Sequence, residues 1–124
     1  MALFYLIRHG KPDYTSVDKR GFPAFGRDLA PLSEGAKQQI SMMAKDERLQ
    51  GASFIVSSPY TRALQTAAII SKETGIEIQV EVDLHEWLPD LSFRTLAYIE
   101  EMQPGEIVEC IYEKGQDNCE YSFS

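Results

Sequence analysis

The chain has 124 residues, of which 44% are hydrophobic and 25% charged, and this composition predicts a single domain over residues 1–124. The net charge of −7 argues against a nucleic-acid-binding protein, and no apolar run approaches the ~20 residues that cross a membrane. The two cysteines, Cys110 and Cys119, suit neither a disulfide framework nor a metal site. We therefore expect reduced thiols and, without a recognisable secretory signal, a cytoplasmic location.

The first predicted element is a buried strand formed by the apolar run Leu3–Ile7. It ends on Arg8, His9 and Gly10, which places a cation and an imidazole at the carboxyl edge of a sheet, where open α/β folds bind ligands. The plain alternative is a strand that simply surfaces and ends in solvent.

A long loop is predicted over residues 11–31, where glycines and prolines interrupt any regular pattern. Residues 1–27 are net basic although the whole chain is acidic, which suits a small anionic ligand better than a long polyanion; an ordinary solvated loop is the alternative. The loop residues that are candidates for contacting a substrate are Lys11, Tyr14, Arg20 and Arg27. The glycine spacing from Gly21 to Gly26 imitates a P-loop but lacks the following Lys and Ser/Thr, so we reject it.

Two helices and a strand are predicted in the middle of the chain. A helix capped by Ser33 should end before Gly51 and carry methionines as core filler, and residues 53–57 should form a short buried strand. With Ser58 as N-cap and a proline after it, a second helix should run over residues 60–74 and stop at Gly75. Its buried face should comprise Leu64, Ala67, Ala68 and Ser71.

Arg62 falls in the first turn of that helix, where the helix dipole disfavours a cation. A bound anion such as phosphate would offset this penalty, and so would an ion pair with a carboxylate.

The remaining predictions cover residues 76–124. Alternation over residues 76–83 indicates a half-exposed strand near a sheet edge. One further helix is predicted from a cap at Ser92, ending at Pro104-Gly105, and another over residues 106–113. Residues 115–124 are predicted to be frayed.

Four motifs taken together resemble the histidine phosphatase superfamily, the phosphoglycerate mutase-like proteins, over about residues 2–90. They are Leu-Ile-Arg-His-Gly-Lys from Leu6, Asp-Leu-Ala-Pro-Leu-Ser-Glu-Gly from Asp28, Ser-Ser-Pro-Tyr-Thr-Arg-Ala-Leu-Gln-Thr-Ala from Ser57, and Leu-His-Glu-Trp from Leu84. Their order and intervals are those of the family.

The resemblance implies a three-layer α/β/α fold with a mainly parallel sheet, incomplete at its C-terminal side. It implies that His9 is the transiently phosphorylated nucleophile, that Arg8 and Arg62 hold the phosphoryl oxygens, and that Glu86 donates a proton to the leaving group. Such chemistry needs alignment and charge stabilisation rather than a metal or a cofactor, and we expect neither. His85, next to Glu86, is expected to be structural.

The chain departs from the family pattern in having no histidine after His85, whereas the family has a second one well downstream. That histidine's strand lies beside the first strand of the sheet, so this strand is expected to lack its neighbour. Three explanations stay open: a fragment of a longer protein, a naturally short member that pairs its sheet edge with another copy, and a non-catalytic phosphate-binding relative. The leading hypothesis is hydrolysis of a small phosphomonoester, with mutase activity and phosphate binding alone as alternatives.

Overall fold

The computed structural model describes residues 2–22, 24–84, 103–112 and 120–123. The chain begins with strand β1 (Ala2–Ile7), followed by the short helix α1 (Thr15–Lys19) and a 3₁₀ helix (Ala24–Leu29). Next come helix α2 (Glu34–Met43), a second 3₁₀ helix (Glu47–Leu49) and strand β2 (Ile55–Ser57). They are followed by helix α3 (Thr61–Thr74) and strand β3 (Ile78–Val80). Strands β4 (Ile107–Tyr112) and β5 (Glu120–Phe123) complete the described elements.

The fold is α/β, as predicted, and the parallel pairing is seen between β2 and β3. The second sheet has the order β1-β4-β5, and both of its pairings are antiparallel. Every residue of β1 has a partner in β4, from Ala2 opposite Tyr112 to Ile7 opposite Ile107. β1 therefore has a neighbour on one edge that the sequence did not lead us to expect.

The helix predicted over residues 106–113 is wrong, because Ile107–Tyr112 form β4. The run is rich in β-branched residues, and pairing along the whole of β1 outweighs a weak helical spacing. The prediction that residues 115–124 are frayed is wrong for Glu120–Phe123, which pair with β4 as β5. Residues 92–102, which hold the helix predicted from Ser92, lie outside the described residues.

Helix α2 confirms its predicted cap, since the Ser33 hydroxyl accepts the Ala36 N–H at 3.2 Å. Helix α3 ends as predicted at Gly75, whose φ of 74° is the left-handed conformation that glycine adopts freely. Its start differs from the prediction: the N-cap is Tyr60, not Ser58, and Tyr60 makes no side-chain capping bond. Tyr60 stays extended, with ψ at 142°, so the helix begins two residues after Pro59.

The core lies between α2, α3 and the sheets, and its buried members are Ile40, Ala44, Leu49, Ile70 and Ile107. Met43 packs against them, as expected of core filler, whereas Met42 is exposed and that expectation is wrong for it. The buried face of α3 consists of Arg62, Thr66, Ala67 and Ile70, so Ala67 was assigned correctly, and Ala68 is in fact exposed. The predicted buried face of α3 was displaced around the helix because it did not include the polar residues Arg62 and Thr66, which are buried.

The predicted loop at residues 11–31 contains α1 and the first 3₁₀ helix, and its two ends are held together. Pro12 and Leu32 form an antiparallel bridge, flanked by the Asp13 N–H donating to the Pro31 carbonyl at 2.8 Å and the Ser33 N–H to the Lys11 carbonyl at 2.9 Å. The loop is thus closed at its base, directly beyond the end of β1. Among the described residues, no helix has the length and apolar character needed to cross a bilayer.

Candidate functional site

A cavity of about 410 Å³ lies where the end of β1, the start of α3 and the closed loop meet. Its lining residues are Arg8, His9, Lys11, Pro12, Tyr14, Asp28 and Arg62. The sequence had singled out five of these seven side chains as candidates from segments more than fifty residues apart. The structure brings them to one place.

The backbone fixes the orientation of the His9 imidazole. His9 Nδ1 lies 2.7 Å from the carbonyl oxygen of Gly10. Because a carbonyl can only accept a hydrogen bond, Nδ1 carries the proton in this contact, and in a neutral ring Nε2 then bears the lone pair. His9 is half-buried and lines the cavity, so it offers a nucleophilic nitrogen or a general base there.

Gly10 is required for close packing behind His9. A Cβ atom at this position would lie 3.2 Å from the Ala36 Cβ and 3.3 Å from side-chain carbons of Ile40 and Leu32. All three neighbours are buried, so a larger residue would push the segment toward the cavity. These close neighbours lie on α2 and in the segment before it.

Thr66 joins the two halves of the site. Its hydroxyl accepts the Gly10 N–H at 3.0 Å and donates to the Arg62 carbonyl at 2.8 Å, one helical turn earlier. Thr66 is 4% exposed, so no solvent replaces these bonds. Thr66 belongs to the motif that begins at Ser57, but the sequence alone predicted no function for it. The available signal was a hydroxyl four residues after Arg62 on the same helical face.

Arg62 is buried at the second position of α3, and its guanidinium lines the cavity. Its Nη1 donates to Asp28 Oδ1 at 2.9 Å, and the guanidinium carbon lies 4.5 Å from the centre of the Tyr60 ring. The carboxylate pairing that the sequence left open is therefore present, and the same guanidinium also faces the cavity. Buried arginines are held by such pairs because their charge cannot be removed by deprotonation.

Asp28 is a site residue that sequence reasoning missed, although it stands in one of the quoted motifs. It enters the cavity from the first 3₁₀ helix, and the segment that follows is held to α3 because Gln65 Oε1 accepts the Leu32 N–H at 2.7 Å. The carboxylate thus reaches Arg62 across 34 positions of sequence. A separation of this size has no periodicity that could reveal it in advance.

The outer part of the cavity is formed by the closed loop. Lys11 and Tyr14 line it, and the guanidinium carbon of Arg27 lies 4.1 Å from the centre of the Tyr14 ring, which places Arg27 at its margin. Arg20 follows α1 and does not line the cavity, so this loop candidate is not brought to the site. Nearby, the Thr15 hydroxyl and backbone N–H donate to Asp13, and both bonds lower the pKa of that carboxyl.

Glu86 and His85 lie outside the described residues. Within the described ranges, no group of three or more His, Cys, Asp or Glu side chains could hold a metal ion. The lining has three basic side chains, Arg8, Lys11 and Arg62, and one carboxylate, that of Asp28. This arrangement favours an anion bound beside an imidazole nitrogen.

Comparison with known proteins agrees with this geometry. The sequence model of the histidine phosphatase superfamily (branch 1) matches residues 4–118. A probable phosphoglycerate mutase GpmB from Photorhabdus laumondii is 30% identical over 86 residues, which is 69% of this chain and 38% of that protein. A GpmB from Yersinia pestis is 31% identical over the same share. The chain thus spans about two fifths of the length of these curated relatives.

Two solved structures illustrate the likeness in fold. A mycobacterial glucosyl-3-phosphoglycerate phosphatase in complex with VO3 superposes with a TM-score of 0.54 at 27% identity, over 68% of this chain and 39% of that one. The protein histidine phosphatase SixA, complexed with tungstate, superposes with a TM-score of 0.68 at 14% identity, over 98% of this chain and 95% of that one. The second likeness shows shared fold alone and extends through the C-terminal strands.

Proposed function

The chain belongs to the histidine phosphatase superfamily, and from this premise we propose that it transfers a phosphoryl group from a small phosphomonoester to His9 and then to water. The observation that carries the proposal is that His9, Arg8 and Arg62 line one cavity, and that the contact of His9 Nδ1 with the Gly10 carbonyl puts the lone pair of the neutral ring on Nε2. Neither a metal nor a cofactor has a part in it.

In the first step the Nε2 lone pair attacks phosphorus, the P–Nε2 bond forms and the P–O ester bond breaks. The electron pair of the broken bond leaves on the alcohol oxygen, which takes a proton from an acid; Glu86 is our candidate for that acid. Water then attacks phosphorus and gives a proton to the carboxylate that the acid became in the first step. The P–Nε2 bond breaks, its electron pair returns to Nε2, and inorganic phosphate leaves. Splitting one displacement into two lowers the barrier of each, and the guanidinium groups stabilise the charge on the oxygens in both steps.

Two properties of this chain and its relatives support the proposal. The mycobacterial phosphatase that resembles it carries VO3, an oxyanion of vanadium, and oxyanions suit a cavity with two arginines and a lysine. The charge separation between a basic first loop and an acidic remainder also favours a small anionic substrate over a nucleic acid. A cytoplasmic location belongs to the same proposal.

Two alternatives have specific observations in their favour. The GpmB relatives are named as probable phosphoglycerate mutases, which favours return of the phosphoryl group to a substrate instead of to water. The chain has two histidines, and none follows His85, so a site that binds phosphate without transferring it is the second alternative. The three functions differ in what happens after the anion binds.

The experiment exploits the presence of two histidines. The wild type, His9→Gln and the matched control His85→Gln are each mixed with a chromogenic phosphomonoester, quenched in base, and analysed by mass spectrometry for phosphohistidine, which is acid-labile. We expect the label on His9 in the wild type and in His85→Gln, its absence in His9→Gln, and release of inorganic phosphate in step with labelling.

The other outcomes are distinct. Label that moves to an added phosphorylated acceptor, with little free phosphate, indicates the mutase reaction. Binding of phosphate by calorimetry with no label and no turnover indicates the binding function. Full turnover by His9→Gln would overturn the proposal.

A further inference from the structure

We propose that Tyr60 is a positioning residue for the phosphoryl chemistry, whose ring holds the Arg62 guanidinium in the plane that suits binding of two phosphoryl oxygens. This role rests on the proposed function, because it acts on a group that the reaction uses. Tyr60 is not among the residues that line the cavity, so its effect on a ligand must pass through Arg62.

The start of α3 departs from the usual pattern of a helix N-terminus at two positions. Tyr60 is the N-cap and makes no side-chain capping bond, although Ser, Thr, Asp or Asn at this position commonly accepts a backbone N–H. Arg62 lies in the first turn, which contains no acidic residue, and the helix dipole disfavours a cation there. Departures from such local rules are expected at functional sites. The two residues that depart from them here contact each other.

The contact between these two side chains depends on where the helix begins. Side chains two residues apart within a helix do not face each other. Tyr60 stays extended, with ψ at 142°, and the helix begins after it, so the Arg62 guanidinium carbon can lie 4.5 Å above the centre of the ring. This distance is within the range of an attractive cation–π interaction. The position at which α3 begins therefore brings an aromatic face to a cation of the cavity.

Asp28 and Tyr60 restrain Arg62 in different ways. The Asp28 carboxylate accepts a hydrogen bond from Nη1 at 2.9 Å, and one such bond leaves the guanidinium plane able to turn about the line of that contact. The Tyr60 ring occupies the space on one side of the guanidinium and limits this rotation. The Arg62 side chain is 7% exposed, so water competes weakly for either contact. The carboxylate restrains the position of the group, and the ring restrains its plane.

The plane is important because of the way in which a guanidinium binds an oxyanion. Its N–H donors form a planar fork that makes two parallel bonds to one anion, whereas a lysine ammonium is a point charge without a preferred plane. A guanidinium that is already oriented loses less conformational freedom when the anion binds, and it stabilises transition-state charge without reorganising. The contribution of Tyr60 should therefore be present only while residue 62 is an arginine.

The test is a double-mutant cycle of Tyr60→Leu and Arg62→Lys, which measures whether the two residues act together. For each protein of the cycle, kcat/KM is measured on a chromogenic phosphomonoester and the dissociation constant of inorganic phosphate by calorimetry. With arginine at position 62, Tyr60→Leu should lower kcat/KM by about threefold to thirtyfold, the usual strength of a cation–π contact, and should weaken phosphate binding. With Arg62→Lys, the same substitution should change kcat/KM by less than about twofold.

Two further variants are matched controls. Tyr60→Phe keeps the ring and removes the hydroxyl, so its kcat/KM and phosphate affinity should stay close to those of the wild type. Phe54→Leu removes an aromatic ring from an exposed position (52%) before β2 and should change neither quantity. Circular dichroism checks the fold of every variant. Should Tyr60→Leu fail to fold, Tyr60→Met takes its place in the cycle, because methionine also lacks a ring and adapts to irregular spaces.

The positioning role is overturned if Tyr60→Leu has no effect, or if it causes the same loss with arginine and with lysine at position 62, since Tyr60 would then only pack at the start of α3. A loss in Tyr60→Phe as large as in Tyr60→Leu also overturns it, because the hydroxyl would be responsible. A wild type that binds phosphate without turnover contradicts the proposed function alone, and the cycle is then evaluated from the dissociation constants. A wild type that neither binds phosphate nor hydrolyses the ester overturns both.

Discussion

Two arginine–aspartate pairs in different regions of this molecule show how little the geometry of an ion pair says about its importance. Arg48 and Asp46 lie two residues apart in a surface turn and make two contacts, at 2.7 and 3.0 Å, with each side chain about 30% exposed. Arg62 and Asp28 make one contact of 2.9 Å, but the Arg62 side chain is 7% exposed and the pair joins segments 34 positions apart.

The surface pair, Asp46 and Arg48, makes more hydrogen bonds than the buried pair, but its partners are already close because they are only two residues apart in the chain. The buried pair orients a cavity cation and ties the loop segment to α3. A buried charge is costly to leave without partners, whereas an exposed pair exchanges protein contacts for water at little net gain. We therefore expect substitutions to have much larger effects around Arg62 than around Arg48.

The largest effect is expected for Arg62→Ala. If the cavity transfers phosphoryl groups, removing this guanidinium should lower kcat/KM by about 10²–10³-fold, the usual cost of one group that stabilises transition-state charge. Arg62→Lys should recover part of the loss, because it keeps the charge but not the planar donor pair. Steady-state kinetics on a chromogenic phosphomonoester measures both, and loss of less than threefold in the alanine variant would remove Arg62 from the mechanism.

The next largest effect is expected for Thr66→Val, which keeps the shape of the side chain and removes its hydroxyl. The buried Gly10 N–H then loses its acceptor, so unfolding free energy in urea should fall by about 1–3 kcal/mol. Thr66→Ser retains the hydroxyl and should lose less. Because Gly10 follows His9, we also expect the valine variant to lose kcat more than its KM changes; a change in KM alone would indicate that Thr66 does not position His9.

Asp28→Asn should act in the opposite direction on ligand binding. The amide oxygen can still accept from Arg62 Nη1, so the guanidinium stays oriented, while one negative charge leaves a cavity that favours anions. We expect inorganic phosphate to bind about threefold to tenfold more tightly, measured as competitive inhibition or by calorimetry. Weaker binding would mean that the charge of Asp28, beyond its hydrogen bond, is needed to hold Arg62 in place.

The two regions also differ in how far the sequence could predict them. Arg8, His9 and Arg62 were identified from motifs, and α2, α3 and the turn at Gly75 from capping and periodicity, because these are local signals. Asp28 as partner of Arg62, and Thr66 as partner of Gly10, depend on contacts across 34 and 56 positions, which no local pattern encodes.

The wrong prediction of a helix over residues 106–113 has the same physical origin. Residues 106–113 carry a spacing compatible with a helix, and what makes Ile107–Tyr112 a strand is the edge of β1, about a hundred residues earlier in the chain. Strand propensity reflects such neighbours more than the backbone itself. The loop candidates also show that position in the sequence does not determine which residues reach the cavity. Lys11 and Tyr14 line it and Arg20 does not, although all three fall in one basic segment.

The smallest effect is expected for Asp46→Asn. Hydrogen bonds from the Arg48 side chain and backbone N–H lower the pKa of Asp46 from 3.8 to about 2. A carboxyl whose pKa is depressed by folding contributes stability above its unfolded pKa, and the contribution disappears as pH falls through the folded value. The amide keeps the capping bond to the Arg48 N–H, so at pH 7 the variant should lose about 0.5 kcal/mol of unfolding free energy. The difference from the wild type in urea should vanish between pH 4 and pH 2; a difference that stays constant over this range would show that shape, and not charge, gives the surface pair its effect.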